Sequence, residues 1–148
     1  MKQGLSGIKG AVDRGLSPEL ACDMAFALGT YAGKNSKIAA AYCSSPAAPM
    51  LKHACFAALM AAGCRVIDLG TATMPMLMFY VKENGLKAGL MISGGAAGDD
   101  NYAIQFINSK GMKMPPNEAE TILDIYHLKD FEKAAWDRLG TVSYTHLR

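Results

Sequence analysis

Between Gly89 and Asn108 two apolar stretches are joined by fewer than a dozen residues. The first ends at Ser93, and the second runs from Ala103 to Asn108. A parallel return would need a crossover of a dozen residues or more, so the two strands are expected to pair as an antiparallel hairpin. The connecting loop, Gly94 to Tyr102, is rich in glycine and acid, and it leaves the end of a buried strand. Open α/β sheets hold ligands at such strand ends.

The rest of the chain supplies helices and strands in alternation. Ser17-Pro18-Glu19 is a helix start, with serine as cap, proline in the first turn and an acid at the positive end of the dipole. That helix runs to about Ala32, with Leu20, Met24, Ala27, Leu28 and Tyr31 as its apolar stripe. Helices are also read over Pro49 to Ala62, over Met74 to Glu83 behind a Thr73 cap, over Pro116 to His127 and over Lys129 to Arg138. Strands fall at residues 37 to 42, 65 to 69, 88 to 93 and 103 to 108. The expected fold is a three-layer α/β/α sandwich. Its sheet is mixed and mostly parallel, of about four strands with one antiparallel hairpin.

A chain of 148 residues with 51% hydrophobic content fills one sizeable core. Its 15 basic and 13 acidic residues are well mixed, for a net charge of +2, which leaves no footprint for nucleic acid or an anionic membrane. Apolar runs are too short to span a bilayer, and the N-terminus has no signal-peptide pattern, so a cytoplasmic location is expected. The four cysteines, Cys22, Cys43, Cys55 and Cys64, lack a Cys-x-x-Cys spacing and read as free or buried thiols. His53 lies on a predicted helix without a partner in sequence, and mid-strand Asp68 reads as a sheet-edge or structural residue.

Several segments carry a resemblance. Met91-Ile92-Ser93-Gly94-Gly95, followed by Ala103-Ile104-Gln105-Phe106-Ile107-Asn108, is similar in spacing to the phosphoserine loop of the α-D-phosphohexomutases, the phosphoglucomutase and phosphomannomutase superfamily. Gly4-Leu5-Ser6-Gly7-Ile8-Lys9-Gly10 resembles the family's opening G-T-S-G-I-R-G, and Val66-Ile67-Asp68-Leu69-Gly70 its V-I-D-L-G. The likeness covers about residues 4 to 142. It implies the N-terminal α/β/α domain of an isomerase that moves a phosphoryl group on hexose phosphates through a loop serine. It also implies Mg²⁺, held by acids of a domain absent from this chain.

The reactive parts of those motifs are altered. Aligned without gaps, the family's serine falls on Gly95, and its following histidine, asparagine and proline on Ala96, Ala97 and Gly98. Where the family carries G-R-D-T-R, this chain has Ala41-Tyr42-Cys43-Ser44-Ser45, without the arginines suited to an anion. No confident catalytic residue remains. The loop positions are Ser93, Gly94 and Gly95, and by resemblance Ser6 and Lys9 are the phosphate-binding candidates. In an extended strand Ser93 shares a face with Gly95 but sits about 6.6 Å away, too far to replace it without rebuilding the loop. Gly94, Gly95 and Gly98 could offer backbone N–H groups to a phosphate, against the repulsion of Asp99 and Asp100. Losing a covalent nucleophile costs on the order of 10⁶ in rate, so this chain alone is expected to be inactive as a mutase.

The alternatives are a non-catalytic sugar-phosphate-binding or regulatory module and an inactive gene fragment. Any small ligand is expected to be a hexose phosphate, with further domains of the same protein as partners and no metal held by this chain alone. Residues 1–141 are expected to form the single domain. Residues 142–148 spell the translation of a sequencing-adapter string and read as a non-native tail.

Overall fold

The computed structural model describes residues 2–4, 7–12, 15–95 and 100–145. They form a three-layer α/β/α sandwich. The elements in chain order are β1 (Lys2–Gly4), β2 (Gly7–Ala11), α1 (Pro18–Ala32), β3 (Lys37–Tyr42), α2 (Ala48–Ala61), β4 (Arg65–Thr71), α3 (Met74–Glu83), β5 (Ala88–Gly94), β6 (Asn101–Ile107), α4 (Pro116–Leu128) and β7 (Thr141–Tyr144). The strands lie side by side in the order β1-β2-β6-β5-β3-β4-β7. As expected, β5 and β6 pair as an antiparallel hairpin, with Leu90 opposite Phe106 and Ser93 opposite Ala103.

The sheet is larger than the expected four strands, and it is not mostly parallel. β3 pairs in parallel with β4 and β5, and β4 with β7, while β1·β2, β2·β6 and β5·β6 are antiparallel. The glycine-rich opening accounts for part of the difference. Gly7 has no side chain, and a methyl group there would run into the Ile104 carbonyl, so the opening segment lies flat against β6 as a true strand.

Two apolar layers hold the helices. Ile38, Ala40, Val66, Leu90, Ile92, Ile104 and Phe106 point to one face, where Leu28, Leu51, Leu59 and Ile122 bring in α1, α2 and α4. Ala39, Ala41, Met91 and Ile107 point to the other, where Leu77 and Val81 of α3 cover them. α1 and α2 meet through Gly29, where a methyl group would lie 2.9 Å from the Ala62 Cβ and 3.4 Å from the Cys64 sulfur. The helix starts follow the sequence signals. The Leu20 N–H donates to the Ser17 hydroxyl at 3.2 Å, and the Met76 N–H to the Thr73 hydroxyl at 3.4 Å.

The helix expected over Lys129 to Arg138 does not form. Lys129 adopts a left-handed conformation (φ 53°) that ends α4, and the chain turns back across α1 and α2. Phe131 stacks on Phe26 at 4.7 Å, Glu132 N–H donates to the Thr30 hydroxyl, and Ala134 N–H to the Ala61 carbonyl. Trp136, placed on that expected helix, is 86% exposed. Residues 141–144 form an exposed strand on β4. Asp68 is therefore not at a sheet edge, because β4 is flanked by β3 and β7.

Candidate functional site

The chain leaves β3, passes through α2 to β4 on one side, and returns through α3 to β5 on the other side of β3. The strand order therefore reverses between β3 and β5. Their C-terminal ends splay connections to opposite faces of the sheet, which opens the crevice where such folds hold ligands. Here it is built from Cys43 to Ala47 after β3, Gly94 and Gly95 at the end of β5, and Tyr102 at the start of β6.

Polar contacts tie these three segments together. The Cys43 N–H donates to the Ile92 carbonyl at 2.9 Å, the Cys43 thiol reaches the Gly94 carbonyl at 3.4 Å, and it lies 2.9 Å from the Ser45 hydroxyl. Tyr102, 4% exposed, points to the α2 face and accepts a hydrogen bond from the Ala47 N–H at 3.2 Å. Its hydroxyl stands where a side chain on Gly95 would begin. A methyl group added to Gly95 would meet that hydroxyl first, then the Tyr102 ring carbon Cζ at 2.8 Å and the Ser45 Cβ at 3.0 Å. Gly95 also has φ +73°, a region that side-chain-bearing residues adopt only at a cost.

This geometry separates two residues that an extended strand puts on one face. Ser93 pairs with Ala103 and alternates with Ile92, so its side chain points to the α3 face. Gly94 (φ 127°) and Gly95 then leave the extended conformation, and the Gly95 position turns toward Tyr102 on the α2 face. Ser93 does not face the point where a residue-95 side chain would stand. Lys9 is exposed and pairs with Ala103 from the opposite strand, so it shares the α3 face with Ser93. The end of β2 does approach the loop, with the Val12 N–H donating to the Asp100 carbonyl at 3.0 Å. Ser6, Gly98 and Asp99 lie outside the described residues. The Gly95 N–H donates to the Asn101 carbonyl at 3.1 Å, so it closes the hairpin and is not turned outward to an anion.

Beside the crevice, Asp68 is buried on β4. One carboxylate oxygen accepts the Gly70 N–H at 2.8 Å, and the other lies 3.7 Å from the Lys52 ammonium and 3.4 Å from the Tyr42 hydroxyl. Burial pushes the Tyr42 hydroxyl above its ordinary pKa, against the Lys52 hydrogen bond, which pulls it down. The arrangement ties the end of β4 to α2 and engages both carboxylate oxygens. All four cysteines are free thiols; Cys55 and Cys64 are buried, and burial raises the Cys64 pKa to about 11 and the Cys55 pKa further.

No group of three or more His, Cys, Asp and Glu side chains among the described residues is placed to hold a metal. A cavity of about 570 Å³ lies at the opposite end of the sheet, lined by Lys34, Arg65, Arg138 and Gly140 among others. Its cations are exposed, and Lys34 is shared with Glu132 at 3.9 Å. The strand reversal and the hydroxyl cluster are at the other, β3/β5 end.

The family model for phosphoglucomutase/phosphomannomutase, alpha/beta/alpha domain I, matches residues 1–133. The chain belongs to this family. Curated relatives of this mutase domain include a protein of Methanothermobacter thermautotrophicus named "Probable phosphoglucosamine mutase", 29% identical over 98% of this chain and 32% of its own length. One of the same name from Methanopyrus kandleri is 36% identical over 94% of this chain and 30% of its own length. The chain thus spans about a third of the length of the curated relatives it matches. The solved structure of a phosphoglucomutase/phosphomannomutase family protein from Burkholderia thailandensis has the same fold, at TM-score 0.79 and 17% identity over 98% of this chain and 34% of that one.

Tyr102 and Ser45 do not stand out in the sequence of this domain I. Tyr102 is the last residue of the expected loop, and nothing in the letters says that its hydroxyl crosses to residue 95. For Ser45 the only signal was its place in Cys43-Ser44-Ser45, where the family's arginine motif is missing.

Proposed function

We propose that this chain serves as domain I of a phosphohexomutase relative in which the β5–β6 loop no longer carries the transferred phosphoryl group at its usual position. Gly95 offers no oxygen, and the observation that carries the reading is the Tyr102 hydroxyl standing in the volume where a residue-95 side chain would start. Mutase turnover through residue 95 is lost. The fold still presents the crevice between β3 and β5, and hexose or hexosamine phosphates are the ligand class that the relatives' names suggest. Turnover in the whole protein would draw on further domains, with Mg²⁺ ligands supplied there. The absence of an anionic or cationic bias in the surface charge fits a cytoplasmic small-molecule protein without nucleic-acid or membrane partners. No helix among the described residues is long and apolar enough to cross a membrane.

The test is an amide-shift titration with glucosamine 6-phosphate beside a coupled mutase assay. Shifts confined to residues 43–47 and 94–102 without turnover are expected. Turnover by this chain, or shifts only elsewhere on the domain, would overturn the reading.

A further inference from the structure

Where the parallel strands begin, the chain builds a second concave surface. β3, β4 and β7 start at Lys37, Arg65 and Thr141, and the cavity of about 570 Å³ lies against those starts, a size that suits a small molecule. One wall is the segment that turns back instead of forming a helix. The Ala134 N–H donates to the Ala61 carbonyl at 2.9 Å and the Gly140 N–H to the Met60 carbonyl at 2.8 Å, which pins residues 134–140 to the end of α2. A methyl group on Gly140 would run into the Cys64 carbonyl, so this wall approaches the entry to β4 as closely as backbone allows. The cavity is built before any ligand arrives.

Lys34, Arg65 and Arg138 border it, and no acidic residue does. Cations beside helix ends can serve only to balance the dipole, and α1 and α2 both end here, at Ala32 and Ala61. The end carbonyls are already engaged, however. Gly29 accepts the Gly33 N–H, Ala32 accepts the Ser36 hydroxyl, and Met60 and Ala61 accept the wall. Arg65 donates to the Asn35 carbonyl at 3.4 Å, and Lys34 lies 3.9 Å from Glu132. The Arg138 guanidinium has neither a hydrogen bond nor an ion pair among the described residues. Two helix ends carry about one negative charge between them and Glu132 carries another, so three cations leave about one positive charge unbalanced at the cavity.

We propose that this cavity binds a phosphate ester with an apolar or aromatic body. An arginine fork matches the oxygens of a phosphate, which places that group on Arg138 and Arg65. Ala134, Ala135 and Leu139 line the same cavity and cover the body. A hexose phosphate, polar along its whole length, would leave those apolar atoms unmatched. The site lies at the opposite end of the parallel strands from the β3/β5 crevice, and it does not rest on the hexose-phosphate reading of that crevice.

The experiment is a titration of the 148-residue chain with phenyl phosphate, followed by amide shifts and by the fluorescence of Trp136, which adjoins Ala135 in the chain. Saturable shifts at residues 34–35, 63–65 and 134–141 are expected, with a change in Trp136 emission at the same midpoint. Inorganic phosphate should bind more weakly, and glucosamine 6-phosphate should leave these residues unshifted. Arg138→Gln should weaken phenyl phosphate about tenfold, whereas Lys110→Gln, the same charge change on an exposed turn, should not. Shifts scattered over the surface lysines, equal affinity for inorganic phosphate, or an affinity unchanged by Arg138→Gln with an unaltered circular dichroism spectrum would overturn the proposal. Tighter binding of polyglutamate than of phenyl phosphate would overturn it too, by giving this face to an acidic protein.

Discussion

The α1–α2 contact and the β3/β5 crevice both turn on a glycine with no room for a side chain, and they use it in opposite ways. At Gly29 the missing side chain lets two helices approach, and the neighbours are the Ala62 methyl and the Cys64 sulfur. At Gly95 the neighbours are a tyrosine hydroxyl and a serine, joined by polar contacts between segments some fifty residues apart. The first is packing, in which any added atom collides with well-ordered apolar groups. In the second the Tyr102 hydroxyl fills the volume a residue-95 side chain would need, so changes there should be partly reversible by a change in the neighbour.

Gly29→Leu breaks the first region. Forcing a side chain between α1 and α2 should cost about 3 kcal/mol, read as a lowered midpoint in urea. A loss under about 1 kcal/mol would mean that the helices can separate to accept it.

Lys52→Ala tests the flank of the second region. It strips Asp68 of its ammonium partner and uncovers the Tyr42 and Phe56 rings, over which the ammonium lies at 4.9 and 5.8 Å. A fully buried pair would lose more, but Lys52 is partly solvated, so about 2 kcal/mol is expected from thermal denaturation.

Alkaline pH separates the two regions by chemistry. The buried Cys64 thiol titrates near pH 11 in the fold against an ordinary value of 9.0. The folded pKa is raised, so this contribution is intact below pH 9 and is lost as pH rises from there through about 11. Melting temperature should hold from neutral pH to about 9 and fall beyond it, with the buried Cys55 acting in the same direction. In the native state a thiol reagent should label Cys43 while sparing Cys55 and Cys64.

Tyr102→Phe is the mildest change. It removes the acceptor for the Ala47 N–H and should cost about 1 kcal/mol.

Local chemistry made the scaffold legible in the letters. Ser17 and Thr73 cap the helices they were expected to cap, and the short link between Ser93 and Ala103 left only a hairpin. Where long-range contacts decide, the letters said less. Lys129 to Arg138 has helix-compatible residues, yet Phe131 gains more by stacking on Phe26 than by continuing α4. On α2, Cys55, Phe56 and Leu59 face inward while Met50 and Ala57 are exposed, because α1 and the sheet approach from that side. At the site, the letters show a glycine at 95 but not that Tyr102 lies against it. Residue 102 reaches residue 95 only through two left-handed glycine positions, which alternation along a strand does not anticipate.

The most direct measurement is a double-mutant cycle of Gly95→Ser and Tyr102→Ala, followed by urea denaturation. Gly95→Ser alone should cost about 2 kcal/mol, from the left-handed backbone and the collision with the tyrosine hydroxyl. In the Tyr102→Ala background the cost should fall by about 1 kcal/mol or more, because only the backbone contribution remains. Equal costs in both backgrounds would show that the Tyr102 hydroxyl does not fill the volume beside residue 95, and would contradict the proposed reading of the crevice.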